Sequence, residues 1–183
     1  NMSNVLCAAA IAKVLGAETD AIARGVADVR GVEGRFNVIR RRGKRVVVDY
    51  AHTPDGLKKA ITAAREITEG RLITVFGCGG ERDRSKRAAM GEIAGELSDF
   101  IVITSDNPRG EDPDEIIREV AGGVRCGNYA TRTDRREGIE CALDMCGEGD
   151  TVLIAGKGHE KTQEIAGEKR AFSDEETVRE LLK

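Results

Sequence analysis

The sequence predicts an α/β fold: a doubly wound, mostly parallel, Rossmann-like sheet with helices on both faces, preceded by a short N-terminal helical segment. Short apolar runs that fit strands alternate with longer stretches of helical periodicity. Each of those stretches has the length of a crossover between parallel strands. The composition agrees: 40% hydrophobic and 33% charged residues, with a net charge of -3 over 183 residues, are typical of a soluble globular chain without a nucleic-acid or membrane partner.

The first residues have the pattern of two short helices. Residues Asn4–Leu15 are small and apolar and end at Gly16, and Asp20–Val29 places Ile22 and Val26 at helical spacing. Two helices cannot enclose a core, so we expect their apolar faces to pack on the rest of the chain or on another domain.

From residue 35 onward, strands and helices alternate. The predicted strands are Phe36–Ile39, Val46–Tyr50, Leu72–Phe76, Phe100–Thr104, a weak strand at Asn128–Ala130, Thr151–Ala155, Gln163–Ile165 and Arg170–Phe172. The predicted helices are Pro54–Thr68, Lys86–Leu97, Pro113–Ala121 capped by Asp112, Arg135–Met145, and a last helix to Leu182 with Ser173 and Glu176 as a capping box. The basic turn 40–45 and Gly167 are each expected to lie in a hairpin.

The five cysteines, Cys7, Cys78, Cys126, Cys141 and Cys146, are scattered without a Cys-x-x-Cys pair, which predicts free thiols. Only Cys78 lies in a glycine-rich loop where its thiol could be exposed, and a catalytic role is not expected because no histidine is near it in sequence. No apolar run reaches the roughly 18 to 20 residues of a membrane span, and no signal peptide is evident at the beginning, so we expect a cytoplasmic protein.

Four polar or glycine-rich clusters each follow a predicted strand: 49–54, 77–83, 106–109 and 156–160. Because the carboxyl ends of parallel strands share one edge of a sheet, the clusters predict a ligand crevice there. In the third cluster, the arginine fork fits a carboxylate, while the aspartate and asparagine can bind an ammonium, a combination that suits a zwitterion. An ordinary turn is the alternative interpretation. His52 and His159 could serve as a base or phosphate ligand, or be structural.

Seven motifs occur in order along the chain: Asn1-Met2-Ser3-Asn4, Gly34-Arg35, Asp49-Tyr50-Ala51-His52-Thr53-Pro54, Phe76-Gly77-Cys78-Gly79-Gly80, Lys86-Arg87, Asp106-Asn107-Pro108-Arg109 and Gly156-Lys157-Gly158-His159-Glu160. Together they resemble the motifs of the Mur ligases that build the peptidoglycan stem peptide, specifically of the MurE type. The tetrapeptide 106–109 resembles that type's signature for meso-diaminopimelate.

The resemblance implies an ATP-dependent amide ligase that works through an acyl phosphate, with Mg²⁺ as cofactor. Residues 1–33 would be the helical tail of a central ATPase domain, and residues 34–183 the carboxyl-terminal domain that receives the amino acid. The P-loop, the UDP-sugar site and most Mg²⁺ ligands of the family have no counterpart here. We therefore expect the chain to need the missing N-terminal and central domains as partners, to be inactive alone, and to be part of a monomer.

The resemblance also implies roles for individual residues. The positions that match contacts to meso-diaminopimelate are Arg87, Asp106, Asn107, Pro108, Arg109, Gly156 and Glu160. The positions that match contacts to ATP are Asn4, Arg35, Asp49 and His52. No complete catalytic set and no metal site is expected within this chain, and the other substrate would be UDP-N-acetylmuramoyl-L-alanyl-D-glutamate.

Two other interpretations remain open from the sequence. A related amide ligase of the folylpolyglutamate, cyanophycin or pseudomurein type would share the region around Asp49. A stand-alone module that binds an amino acid without catalysis would account for the missing P-loop.

Overall fold

The computed structural model describes residues 2–29, 31–125 and 127–183, so Cys126 and Asn1 lie outside the described residues. The chain divides into two compact units, Asn1–Val32 and Glu33–Lys183. The division falls beside the boundary expected from the sequence. That the first unit is the tail of an ATPase domain stays a prediction.

The first unit consists of two helices, α1 (Met2–Val14) and α2 (Thr19–Asp28). Neither helix contains a buried residue. Large apolar side chains such as Leu6, Ile11 and Val26 are exposed. Both predicted helices are present, and as expected they enclose no core of their own.

The second unit is built on a six-stranded sheet in the order β1-β2-β6-β3-β4-β5. Its strands are β1 (Asn37–Arg41), β2 (Lys44–Asp49), β3 (Leu72–Phe76), β4 (Phe100–Thr104), β5 (Tyr129–Arg132) and β6 (Thr151–Ala155). Only β1 is antiparallel to its neighbour, and the other pairs are parallel. The prediction of a mostly parallel, doubly wound sheet is therefore confirmed.

Helices cover both faces of this sheet. The helices are α3 (Pro54–Glu66), α4 (Ser85–Leu97), α5 (Pro113–Ala121), α6 (Arg135–Met145) and α7 (Asp174–Leu181). One apolar core contains Leu57, Met90 and Val120 from α3, α4 and α5, and the other contains Ile139 and Val178 from α6 and α7. The central strands β3 and β6 are buried along their whole length because both faces are covered.

A second, two-stranded sheet is the hairpin of β7 (Thr162–Ile165) and β8 (Glu168–Ala171). The hairpin was expected, but β8 begins and ends earlier than predicted. All four β8 residues are exposed, so no apolar alternation marks the strand. The bounds of the weak strand β5 also differ from the prediction. The strand extends to Arg132 instead of ending at Ala130, because pairing with β4 sets its limits.

Helix caps follow the expected chemistry. The Asp112 carboxylate accepts a hydrogen bond from the Asp114 amide at 2.9 Å, and the Ser173 hydroxyl accepts one from the Glu176 amide at 3.3 Å. Thr53 caps α3 in the same way, a cap that was not among those predicted from the sequence. Within the described residues, no helix has both the length and the hydropathy to cross a lipid bilayer.

Gly91 allows α4 to pack closely on α5, because an added Cβ would lie 2.0 Å from the Val120 carbonyl oxygen. We expect Gly91→Ala to lower the free energy of unfolding by about 1–3 kcal/mol, the usual cost of overpacking. Urea unfolding followed by circular dichroism measures this change. Gly122→Ala is the control, because its Cβ would meet the Arg118 carbonyl oxygen at 3.5 Å, an ordinary contact. Equal midpoints for the two variants would contradict the expectation.

Candidate functional site

The carboxyl ends of β2, β6, β3 and β4 surround a cleft of about 430 Å³. Every one of the four loops predicted to form a crevice contributes to its lining. Of the residues proposed to bind an amino acid, the structure brings five together in this cleft: Asp106, Asn107, Arg109, Gly156 and Glu160.

Asp106 presents a carboxylate with unused hydrogen-bonding capacity. The residue is 8% exposed, and within the described part of the chain no donor reaches its side chain. Gly156 lies directly beside it: the glycine has φ of +120°, and an added Cβ would be 2.7 Å from Asp106 Oδ2. Any side chain at residue 156 would therefore displace the carboxylate, so glycine is required at this approach.

A buried lysine supports the neighbouring carboxylate. Lys157 is 0% exposed, and its Nζ donates to Glu160 Oε2 at 2.9 Å and to Asn107 Oδ1 at 3.0 Å. Asn107 Nδ2 donates to the same Glu160 oxygen at 3.0 Å. These three side chains form a closed network that joins the loop after β4 to the loop after β6, and Glu160 Oε1 is left without a partner among the described residues.

This network determines the ionisation of Glu160. Burial alone would raise the pKa of Glu160, but the hydrogen bonds from Lys157 and Asn107, together with the charges of Lys157 and Arg135, outweigh it and lower the pKa below its ordinary value. Glu160 is therefore a fixed anion at neutral pH, suited to a cationic group of a ligand.

The β7–β8 hairpin fixes the backbone of Arg109. Arg109 has a left-handed conformation with φ of 54°. Its amide donates to the Glu164 carbonyl oxygen at 3.1 Å, and its own carbonyl oxygen accepts from the Ala166 amide at 2.7 Å. The Glu164 amide also donates to Asn107 Oδ1 at 3.0 Å. The hairpin thus holds two residues of the tetrapeptide in place.

Only part of the Arg109 guanidinium is bound by other groups of the protein. Nη1 donates to the Gly80 carbonyl oxygen at 2.7 Å, and Nε lies 3.8 Å from Glu164 Oε2. The side chain is 20% exposed at the cleft. Within the described residues Nη2 has no partner, so the arginine can still bind a ligand carboxylate.

Two residues predicted to bind the amino acid lie behind the cleft lining. The Arg87 guanidinium is 1% exposed and binds Glu111 through both terminal nitrogens at 2.9 Å, and Glu119 at 2.9 Å. Bonds to Arg87 and the Glu81 amide lower the pKa of Glu111 to about 2. Pro108 is buried, and its carbonyl oxygen accepts from the Glu111 amide. Direct ligand contacts by Arg87 and Pro108 stay predictions.

The residues predicted to contact ATP belong to both units of the chain. Asn4 lies on α1 in the first unit. In the second, Asp49 uses Oδ2 and Oδ1 to accept from the Phe36 and Ala51 amides, both at 2.8 Å. The carboxylate therefore has a structural role at the end of β2. The exposed Arg35 guanidinium stacks on the Tyr50 ring at 4.6 Å, and the His52 ring lies 4.7 Å from that ring.

Sequence reasoning missed several residues of the site. Lys157 is the most consequential, and its signal was a lysine between two glycines directly after a fully buried strand. Seven residues that line the cleft were predicted only as parts of their motifs, without a role of their own: Tyr50, Thr53, Gly77, Gly79, Arg82, Asp83 and Lys86. Lys86 Nζ donates to the His52 carbonyl oxygen at 2.8 Å, which ties α4 to the loop after β2.

Cys78 is not exposed, although its position in a glycine-rich loop left that open from the sequence. Cys78 is 3% exposed and packs in the core near Met90. Burial raises the pKa of its thiol to about 12, so the reactive thiolate is suppressed at neutral pH. The described parts of the chain also contain no group of three or more His, Cys, Asp or Glu side chains that could hold a metal ion.

Comparison with known proteins identifies relatives for nearly the whole chain. A family model described as Mur ligase, glutamate ligase domain, matches residues 34–158. A relative from Alkaliphilus metalliredigens, UDP-N-acetylmuramoyl-L-alanyl-D-glutamate–2,6-diaminopimelate ligase, is 49% identical over 98% of this chain and 37% of its own length. A relative of the same name from Aquifex aeolicus is 46% identical over 98% of this chain and 37% of its own length.

Solved structures agree with these relatives. A structure of UDP-N-acetylmuramoyl-L-alanyl-D-glutamate–2,6-diaminopimelate ligase superposes with a TM-score of 0.79 at 39% identity, covering 100% of this chain and 38% of the other. The E. coli protein FolC in complex with ADP superposes with a TM-score of 0.67 at 23% identity over 85% of this chain and 36% of the other, a likeness of fold alone. The chain spans little more than a third of the length of the relatives it matches.

Lys157→Met is expected to raise the pKa of Glu160, because burial would then act without the lysine that opposes it. In the wild type, ionised Glu160 stabilises the fold above the ordinary pKa of 4.5, and this contribution is lost as the pH falls through the lowered folded value. In the variant this contribution should be smaller, because the folded pKa no longer lies as far below the ordinary value. A carboxyl-carbon NMR titration of labelled protein measures the shift. Lys161→Met, which removes an exposed partner of Glu33, is the control; identical Glu160 titrations in both variants would refute the assignment.

Proposed function

Because the chain belongs to the Mur ligase family, as a glutamate ligase domain, we propose that it is the amino-acid-binding part of an ATP-dependent ligase. The ligase would add meso-diaminopimelate to UDP-N-acetylmuramoyl-L-alanyl-D-glutamate during peptidoglycan synthesis. The names of relatives at 46 to 49% identity support this reaction. Since the chain spans about 37% of their length, the activity of the whole protein is part of the proposal.

The observation that carries the proposal is a set of charged groups in the cleft whose hydrogen-bonding capacity is not used up by the described residues. The Asp106 carboxylate and Glu160 Oε1 can bind an ammonium, and Arg109 Nη2 can bind a carboxylate. Meso-diaminopimelate has two ammonium and two carboxylate groups. A ligand with a cationic and an anionic group at its distal end can therefore satisfy both kinds of residue at once.

The role of this domain in the reaction would be to position the attacking amine. In the proposed reaction, ATP phosphorylates the glutamate carboxylate of the UDP-linked dipeptide. The amine of the bound amino acid then attacks the acyl carbon, a C–N bond forms, the C–O bond to phosphate breaks, and the amine loses a proton. Fixing the distal end of the amino acid in the cleft orients the amine and lowers the entropic cost of this step.

The remaining components would come from elsewhere in the protein. ATP dependence fits the family, and Arg35 and His52 are exposed on the rim formed by the loop after β2. The described residues do not form a Mg²⁺ site, since they contain no group of three or more His, Cys, Asp or Glu side chains that could hold a metal ion. We propose that missing N-terminal and central domains supply the Mg²⁺ and UDP-sugar sites, and that the protein works as a cytoplasmic monomer.

The complete protein should ligate meso-diaminopimelate in preference to L-lysine. Lysine lacks the distal carboxylate and would leave Arg109 without its ligand partner, a loss on the order of 1–3 kcal/mol, or roughly ten- to hundredfold in kcat/KM. Phosphate release and product chromatography with each amino acid measure this ratio. In Arg109→Ala the preference should shrink, whereas Arg170→Ala, an exposed arginine on the same hairpin, should keep it. Equal use of the two amino acids by the wild type would overturn the proposed substrate.

Arg35 should be needed for nucleotide turnover. Its guanidinium is exposed and held on the Tyr50 ring, where it remains available to a phosphate group. In the complete protein, Arg35→Ala is expected to slow ATP turnover about ten- to hundredfold. Arg40→Ala, which removes an exposed arginine from β1 instead, should leave turnover unchanged. If Arg35→Ala turns over ATP at the wild-type rate, Arg35 has no part in the mechanism.

A further inference from the structure

A fully buried ion pair lies directly beneath the cleft loops. Arg135, the first residue of α6, and Asp174, the first residue of α7, each have a side chain that is 0% exposed. Arg135 Nε and Nη2 donate to Asp174 Oδ1 and Oδ2, both at 2.8 Å. The pair therefore has the bidentate geometry in which an arginine is most strictly oriented.

The remaining donors of Arg135 hold the ends of two strands. Nη1 donates to the Ser105 carbonyl oxygen at 3.1 Å, and Nη2 donates to the Ala155 carbonyl oxygen at 3.0 Å. Ser105 precedes Asp106, and Ala155 precedes Gly156. The guanidinium thus binds the main chain immediately before the cleft residues of β4 and of β6.

No sheet hydrogen bond could make this connection. In the sheet order, β3 lies between β6 and β4, so these two strands have no ladder in common. The start of α6 is itself anchored to the end of β4, because Ser105 Oγ donates to the Thr133 carbonyl oxygen at 2.6 Å and Thr104 Oγ1 donates to the Asp134 carbonyl oxygen at 3.2 Å. Arg135 therefore starts from an anchored helix end, and its guanidinium bridges the ends of β4 and β6 across the end of β3.

We propose that Arg135, oriented by Asp174, is a positioning residue that sets the spacing between the loop carrying Asp106 and the loop carrying Gly156 and Glu160. The two carboxylates of the cleft would bind one ammonium only at a defined separation, and Arg135 fixes the main chain on both sides. Its charge also favours ionised Glu160, whose pKa is lowered in part by Arg135. The role rests on the proposed function, since it concerns binding of the amino acid that is ligated.

Fold stability alone does not require an ion pair here. Replacing a buried ion pair by apolar side chains of similar volume is often neutral or stabilising, because two charges no longer have to be desolvated. Apolar side chains cannot, however, donate to the Ser105 and Ala155 carbonyl oxygens. A lysine would keep the charge but lacks the planar fork that reaches a carboxylate and two carbonyl groups together. Apolar and lysine substitutions can therefore distinguish a positioning role of Arg135 from a role in fold stability.

The test uses two variants of the complete protein, Arg135→Lys and the double variant Arg135→Met with Asp174→Leu. Steady-state kinetics measure KM for the amino acid, KM for ATP and kcat, and thermal unfolding measures stability. We expect KM for the amino acid to rise about ten- to hundredfold in both variants, with KM for ATP changed by less than about twofold. In the double variant this rise should occur even if the melting temperature equals that of the wild type.

Arg71→Met is the matched control. Arg71 precedes β3 and pairs with Asp150 at 2.8 Å, and it donates to the Met145 carbonyl oxygen at 2.6 Å, so it joins the same sheet and α6 at the opposite edge. Its loss should leave KM for the amino acid unchanged.

An unchanged KM for the amino acid in a folded variant would overturn the positioning role, as would an equal rise in both KM values. If the double variant does not fold, Arg135→Lys decides alone. If the wild type ligates an amino acid other than meso-diaminopimelate, the proposed substrate is wrong, while KM for that amino acid still tests Arg135.

Discussion

The constraint on which the site depends is that β6, β3 and β4 are parallel neighbours whose carboxyl ends meet at one edge. Residues far apart in sequence, such as Asp106 and Gly156, come within contact distance for this reason. The strands bring the loops together, but they do not fix side chains beyond the last ladder hydrogen bond. Two polar networks orient those side chains. Lys157 binds Asn107 and Glu160 at the cleft, and the Arg135–Asp174 pair lies beneath it.

These networks explain why the cleft can recognise a small, doubly charged ligand. A carboxylate that is both half-buried and held by a buried lysine stays ionised and keeps one orientation, so little reorganisation is needed when an ammonium arrives. The hairpin β7–β8 performs the corresponding role for Arg109 through main-chain hydrogen bonds. Specificity would then result from fixed charges of both signs in a cleft of about 430 Å³.

Much of the fold could be predicted from sequence because its signals are local. The bounds of β3, β4 and β6 matched their apolar runs, and Asp112 and Ser173 marked helix starts. The limits of β5 and β8 could not, because these strands are exposed and pairing defines them. At the site, the sequence predicted that the four polar clusters lie at one sheet edge, because parallel topology determines this. The burial of Cys78, Arg87 and Lys157 could not be predicted, since it depends on tertiary partners such as Glu111 and Asn107.

The most direct measurement is a crystal structure of the complete protein with meso-diaminopimelate bound. It should show the distal ammonium between Asp106 and Glu160, the distal carboxylate on Arg109, and Lys157 still bonded to Glu160 and Asn107. An amino acid bound outside this cleft, or bound within it with its carboxylate away from Arg109 and its ammonium away from both carboxylates, would contradict the account.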